Sequence, residues 1–299
     1  MLDLEKLATE QLNSKTTHID TVSTLELVQI MNDEDYKVAD AIHKILPQVA
    51  QAIDVITNHL HRGGRLFYTG SGTSGRLGIL DAVECPPTYS TNPEMVQGLI
   101  AGGYDAIFRA KEGAEDNPKL GADDLAAKNI SNLDVVVGLT ASGRTPYVLG
   151  SLTYAKKAGA ATLAICCTEN SAVSKLARIT LCALVGPEVV TGSTRLKAGT
   201  AQKMLLNMLS TGTMIKLGKV YGNLMVDVKS SNQKLQERAL RIVMAVAECD
   251  RSIAAAALKA TGGKAKEACL VAALKISPAV AQERLAAADG FLRKALNLI

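Results

Sequence analysis

The feature that most constrains this chain is a strand, glycine-rich loop and helix succession that occurs twice. Arg65-Leu66-Phe67-Tyr68-Thr69 is a short β-prone run, and Gly70-Ser71-Gly72-Thr73-Ser74-Gly75 follows it at once. The segment after the loop carries a helical pattern from Arg76 to Glu84 and is expected to stop before Pro86-Pro87. The same order returns over residues 133–139, an apolar run that reads as a buried strand. The loop Thr140-Ala141-Ser142-Gly143-Arg144-Thr145 comes next, and Pro146 opens a helix at the first helical position, where proline is tolerated. That helix should run to about Ala158, with Gly159 as its C-terminal stop. Residues 161–167 and 179–184 read as further strands. Strands alternating with helices predict an α/β fold, a doubly wound parallel sheet covered by helices on both faces.

The flanks are helical in pattern. Asn32-Asp33-Glu34-Asp35 reads as a helix cap, followed by Val38, Ile42, Ile45, Leu46, Val49, Ile53 and Ile56 at helical spacing. His61-Arg62-Gly63-Gly64 ends that pattern. A long helix is expected to start near Lys197 to Thr200 and to include Met204, Leu205, Met208 and Leu209. Residues 250–260, 264–275 and 278–298 are Ala-rich amphipathic segments separated by Gly262-Gly263 and by Ser277-Pro278, an N-cap and first-turn pair. They predict a small C-terminal three-helix unit whose role is packing or dimer support. The organisation expected is a helical segment at 1–60, an α/β domain at 61–245 and a helical subdomain at 246–299.

Composition narrows the partners. The net charge of +4 is too mild, and Lys and Arg too scattered, for a phosphate-backbone binder. Aromatics are 3% with no Trp, which disfavours stacking on single-stranded nucleic acid. No run of about 20 uncharged apolar residues occurs, so no membrane span is expected. Met1-Leu2-Asp3-Leu4-Glu5-Lys6 carries early acids and no apolar core, unlike a secretory signal, and a cytoplasmic location is expected. The six Cys form no C-x-x-C pair and read as free core thiols. The four His, with His59 and His61 at a helix end, match no metal spacing, so no metal site is expected.

The loop at 70–75 matches G-x-G-x-x-G literally, so a dinucleotide fold has to be weighed. Glycines let the backbone approach an anion, and the following helix offers free N–H groups and a positive dipole end, whichever ligand binds. Two features argue against a dinucleotide. The loop carries three hydroxyls suited to sugar hydroxyls or phosphate oxygens, and a second hydroxyl-rich loop follows another strand. A ribose-binding acid about 20 residues on is not evident either, since Glu84 comes too early and Glu94 is a loose candidate. Both loops together point to a sugar phosphate.

Longer strings carry a specific resemblance. Residues 68–88, beginning Tyr68-Thr69-Gly70-Ser71-Gly72-Thr73-Ser74-Gly75-Arg76 and ending Glu84-Cys85-Pro86-Pro87-Thr88, resemble the N-acetylmuramic acid 6-phosphate etherase family. So do residues 141–147 and 186–203, and the likeness runs from about Thr9 into the C-terminal helices. The resemblance implies a sugar isomerase (SIS) fold, a homodimer, and cleavage of the D-lactyl ether of N-acetylmuramic acid 6-phosphate without a cofactor. Carried over by position, Thr140, Ser142, Gly143 and Thr145 would face the phosphate, and Ser71, Gly72, Thr73 and Ser74 the sugar. The family's two acids fall on Glu84 and Glu115. Elimination needs one group to manage the C2 proton and one to protonate the departing lactyl oxygen. Two carboxyls, one kept neutral by burial, meet both demands. The assignment expected is Glu84 as proton donor to the lactyl oxygen and Glu115 as the second acid/base. Arg76, Arg144, Arg195 and Lys197 are candidates to hold the lactyl carboxylate. Two other readings use the same loops: a non-catalytic sensor resembling glucokinase regulatory proteins, and a sugar-phosphate isomerase.

Overall fold

A computed structural model of the chain describes residues 9–228 and 232–298, so the acidic start at Met1–Lys6 lies outside the described residues. Its centre is a five-stranded sheet of β1 (Leu66–Gly70), β2 (Val96–Ile100), β3 (Val135–Leu139), β4 (Ala161–Cys166) and β5 (Ile179–Cys182), in the order β2-β1-β3-β4-β5. Every neighbouring pair is parallel. All residues of β1 and β3 are buried, as central strands covered on both faces require. Phe67, Leu125, Val136, Tyr147, Val148, Leu152 and Ala164 belong to one packed cluster around those strands. Two buried hydroxyls pin β1 to the helix α6 (Pro146–Lys157), where Thr69 Oγ1 and Ser151 Oγ lie 2.9 Å apart. Gly159 follows α6 at φ 80°, the expected stop.

The N-terminal helices differ from their pattern. α1 (Thr24–His43) runs straight through Asn32-Asp33-Glu34-Asp35, and its cap is Ser23, whose side chain accepts from the Glu26 N–H. The break falls instead before α2 (Leu46–His61), which carries Pro47 in its first turn. Glu34 is an interior helix residue with a buried partner rather than a cap. α3 (Gly72–Tyr89) likewise continues through Pro86 and Pro87. Both prolines sit in the last turn of α3, so each removes one N–H bond there but leaves the turns before it to run on, and Ser90 N–H closes that turn onto the Pro86 carbonyl at 3.0 Å. β2 is a strand that the residue pattern does not announce. It is followed by α4 (Asp105–Phe108), a single turn at Ala114–Asp116 and α5 (Pro118–Ala126).

The chain forms two compact units. One comprises the described residues up to Ala82 with Glu94–Ser210, and holds the sheet; the other comprises Val83–Pro93 with the described residues from Thr211 onward. α7 (Lys197–Lys216) begins in the first. The second has its own core of Val226, Leu240, Ile242, Val243, Cys269, Leu270 and Leu292. Its helices are α8 (Gln233–Ala247), α9 (Arg251–Ala260), α10 (Ala265–Leu274), α11 (Pro278–Ala287) and α12 (Leu292–Asn297). Ser277 caps α11 as its sequence predicts, accepting from the Val280 N–H. The third expected helix is divided, because Asp289 and Gly290 take φ 52° and 76°. The chain then folds back so that Arg284 Nε reaches the Ala295 carbonyl at 3.1 Å. α8 joins the unit, so the three-helix expectation undercounts it.

Candidate functional site

Strand order fixes where a ligand can sit. The chain passes from β1 to β2 on one side and then crosses to β3 on the other, so the topology reverses between β1 and β3. In open α/β sheets the crevice outside the C-terminal strand ends at such a point is the ligand site. Gly70 pairs in register with Leu139, so the loops at 70–75 and 140–145 leave from adjacent strand ends. Each runs into a helix N-terminus, α3 and α6 respectively, aiming free N–H groups at the crevice.

The 140–145 loop is a cluster of hydroxyls. Thr140 is buried at 2% exposure, and its Oγ1 lies 2.8 Å from Thr145 Oγ1 and 3.5 Å from Ser142 Oγ. The Gly143 N–H donates to Thr140 Oγ1 at 3.2 Å. Gly143 needs to be glycine twice over: its φ is 69°, and a Cβ there would fall 2.3 Å from Ser171 Cβ. Thr145 is the N-cap of α6, yet its hydroxyl makes no cap bond and turns to Thr140 instead. The first N–H groups of α6 are therefore not taken by that side chain. Three hydroxyls and a helix N-terminus form a fitting cradle for a phosphate.

In the 70–75 loop the hydroxyls are held apart. Ser74 Oγ donates to Gln202 Oε1 of α7 at 2.8 Å, and Ser71 Oγ donates to Glu115 Oε2 at 2.9 Å. Gly75 closes against β2, since a Cβ there would meet Ile100 Cγ1 at 2.6 Å. Thr73 is half-buried and Gly72 exposed at the mouth of the loop. Glu115 comes from the Ala114–Asp116 turn beyond β2. Ser71, Gly72, Arg76, Lys111 and Glu115 line a cavity of about 200 Å³ in this unit.

The structure thus brings Ser71, Gly72 and Glu115 together, and separately Thr140, Ser142, Gly143 and Thr145. Glu84 lies twelve residues after Gly72 on α3 and belongs to the other compact unit. Neither glutamate is buried within the single chain; both are exposed, so the expectation that burial keeps one of them neutral is not met there. Among the cations, Lys197 is corrected outright. It is 0% exposed and its Nζ donates to Glu34 Oε2 at 2.6 Å, an internal ion pair that leaves it no ligand to hold. Glu188, also buried, accepts the N–H groups of Lys197 and Ala198 at 3.0 and 2.9 Å and so caps α7. Burial pushes the Glu188 carboxyl up, against those N–H bonds.

At the C-terminal ends of β4 and β5, Cys166 and Cys182 pair in register. The Cys182 side chain, ahead of the opposing effect of burial, holds the Cys166 thiol below its ordinary value, and the Cys182 thiol is pushed up in return. Cys166 Sγ also lies 3.6 Å from the hydroxyl of Ser171, the residue packed on Gly143. All six cysteines are free and four are buried, as the sequence predicts. No helix among the described residues is long and apolar enough to cross a membrane. The sequence reading missed Gln202 and Lys111 as neighbours of the first loop. Gln202 lay within the 186–203 string, which singled out the segment without a role for that side chain.

Comparison with known proteins bears on the family and the fold. Residues 48–156 match the glucokinase regulatory protein N-terminal SIS domain, and residues 118–212 match the SIS domain. A Clostridium beijerinckii protein named N-acetylmuramic acid 6-phosphate etherase is 56% identical over 298 residues, covering 100% of this chain and 98% of that one. A Klebsiella aerogenes protein of the same name is 53% identical over 296 residues, covering 99% of each. Among solved structures, a candidate phosphosugar isomerase involved in capsule formation from Bacteroides fragilis superposes with a TM-score of 0.50 at 18% identity. The match covers 65% of this chain and 91% of that one, and bears on the fold alone.

Proposed function

The chain belongs to the N-acetylmuramic acid 6-phosphate etherase family, and on that premise we propose a site and a mechanism for the reaction. It is a carbon–oxygen lyase that splits the D-lactyl ether, giving N-acetylglucosamine 6-phosphate and D-lactate. The observation that carries the function is identity of more than half over the full chain. Thr140, Ser142, Gly143 and Thr145 at the N-terminus of α6 bind the phosphate; Ser71, Gly72, Thr73 and Ser74 bind the sugar.

The chemistry follows from the bond. An ether oxygen leaves poorly unless it is protonated as it departs, and the C2 hydrogen is acidic only when the open-chain C1 aldehyde can delocalise the resulting charge. Glu115, oriented by the Ser71 hydroxyl, exchanges the C2 proton, and Glu84 protonates the lactyl oxygen. The C2–C3 double bond forms as the C3–O bond breaks. Water then adds at C3 and a proton returns to C2. No group beyond the protein is required for these steps.

We read the working unit as a homodimer. Leu80 and Val83 are exposed at 51% and 57%, one turn apart on α3 and on the same face as Glu84. A second copy covering that face would close Glu84 off from water beside these two apolar side chains. Six free cysteines and a phosphorylated substrate fit a reducing compartment, and we place the protein in the cytoplasm.

Incubation with N-acetylmuramic acid 6-phosphate in heavy-isotope water tests the whole scheme. D-lactate release with solvent hydrogen at C2 and solvent oxygen at C3 is expected. Absence of lactate refutes the activity, and absence of C2 exchange refutes elimination. A non-catalytic sensor is the second reading, favoured by the match of residues 48–156 to a regulatory SIS domain; it predicts sugar-phosphate binding with no lactate.

A further inference from the structure

We infer that Arg76 is the residue that recognises the carboxylate of the lactyl group, an assignment that rests on the etherase reading above. The cavity beside Glu115 measures about 200 Å³, below the roughly 300 Å³ at which drug-sized ligand pockets begin. It suits a substituent rather than a whole sugar phosphate. Ala101, Ala106 and Ala110 give it an apolar wall for a methyl group. Its charged lining is Arg76, Lys111, Glu112 and Glu115.

A three-carbon acid entering this space must find a counter-charge, since two carboxylates already line it. Lys111 is engaged: its Nζ donates to the Gly102 carbonyl at 3.2 Å and to Asp105 Oδ2 at 3.3 Å. Arg76 is anchored without being neutralised. Its Nε donates to the Ile107 carbonyl at 2.8 Å, and among the described residues it makes no ion pair. That bond fixes the plane of the guanidinium and leaves its two terminal NH2 groups, a fork that matches a carboxylate with two parallel bonds. The other sequence candidates fail on position. Lys197 is spent on Glu34, and neither Arg144 nor Arg195 lines the cavity. Arg76 is the fifth residue of α3, the helix that follows Ser71 directly, so the start of one helix places both the loop and the guanidinium.

The role is one of specificity, and its test separates the lactyl arm from the rest of the ligand. Turnover is measured for N-acetylmuramic acid 6-phosphate and for its lactyl carboxamide analogue, in the wild type, Arg76→Gln and Arg76→Lys. N-acetylglucosamine 6-phosphate, which has no lactyl arm, serves as the binding control by calorimetry. In the wild type the carboxamide should fall about 10- to 100-fold in kcat/KM, the range of a charge-assisted hydrogen-bonded pair. Arg76→Gln should lose a similar factor on the natural substrate, show no preference between acid and amide, and bind the control as before. Arg76→Lys, which keeps the charge without the fork, should retain part of the preference and serves if the glutamine variant does not fold. Variants that keep the full acid-over-amide preference overturn the assignment, as does equal loss of the control ligand. A wild type that turns over no substrate defeats the etherase reading itself, and the assignment falls with it.

Discussion

Lys197 tests whether the structural and the functional reading of one cation can be told apart. Lys197→Met leaves Glu34, 2% exposed, with Lys37 as its remaining cation. Burial alone pushes the Glu34 carboxyl up, but the bonds and charges of Lys197 and Lys37 more than offset it, taking it from 4.5 to about 2. At 1.36 kcal/mol per unit that drop corresponds to about 3 kcal/mol at neutral pH. Lys37 is partly exposed and screened, so most of this rests on Lys197. Breaking a buried pair from one side costs about 3–5 kcal/mol by comparison with measured cases. About 3 kcal/mol should lower the melting temperature by roughly 6–12 °C in a unit of this size. The depressed acid contributes stability that is present above pH 4.5 and is lost as pH falls toward 2, so the variant should also show a flatter acid limb. Adding Glu34→Met should recover most of the loss, since two apolar side chains can replace a buried pair. The assay is thermal unfolding between pH 3 and 7, with KM for substrate measured below the transition. A variant that keeps its melting temperature but raises KM would refute the reasoning and return Lys197 to the ligand.

Three further outcomes are expected. Thr145→Val removes the hydroxyl 2.8 Å from Thr140 Oγ1 and should weaken N-acetylglucosamine 6-phosphate binding about tenfold or more, while leaving the unphosphorylated sugar unaffected in the same calorimetric titration. Gly143→Ala, at φ 69° and 2.3 Å from Ser171 Cβ, should cost at least about 1–2 kcal/mol in thermal unfolding, with partial rescue by Ser171→Gly. Glu115→Gln should lower turnover about 10²- to 10⁴-fold with the N-acetylglucosamine 6-phosphate affinity retained, as should Glu84→Gln; full turnover in both would exclude them from the proton transfers.

What was legible in the sequence was what its local pattern determines. Pro146 and Gly159 bound α6 in the structure as they do on the page, and Ser277 caps α11, because each acts through its own backbone. β2 escaped because Val96-Gln97-Gly98-Leu99-Ile100 neither alternates nor avoids glycine. Its Gly98 is needed by a neighbour remote in sequence, since a Cβ there would lie 2.7 Å from Ile79 Cα of α3. Glu34 was read as part of a cap for the same reason that Lys197 was read as a ligand. Each was judged without the other, and they are 163 positions apart. A charged residue with no partner in its own segment is a candidate ligand group only until the fold supplies its counter-ion. Lys197 receives one. Arg76, which the sequence could not distinguish from it, has its Nε fixed by a backbone carbonyl and its charge left open beside Glu115. The loops were readable because glycine and hydroxyl spacing is local, whereas the choice among cations depended on tertiary pairing that only the fold supplies.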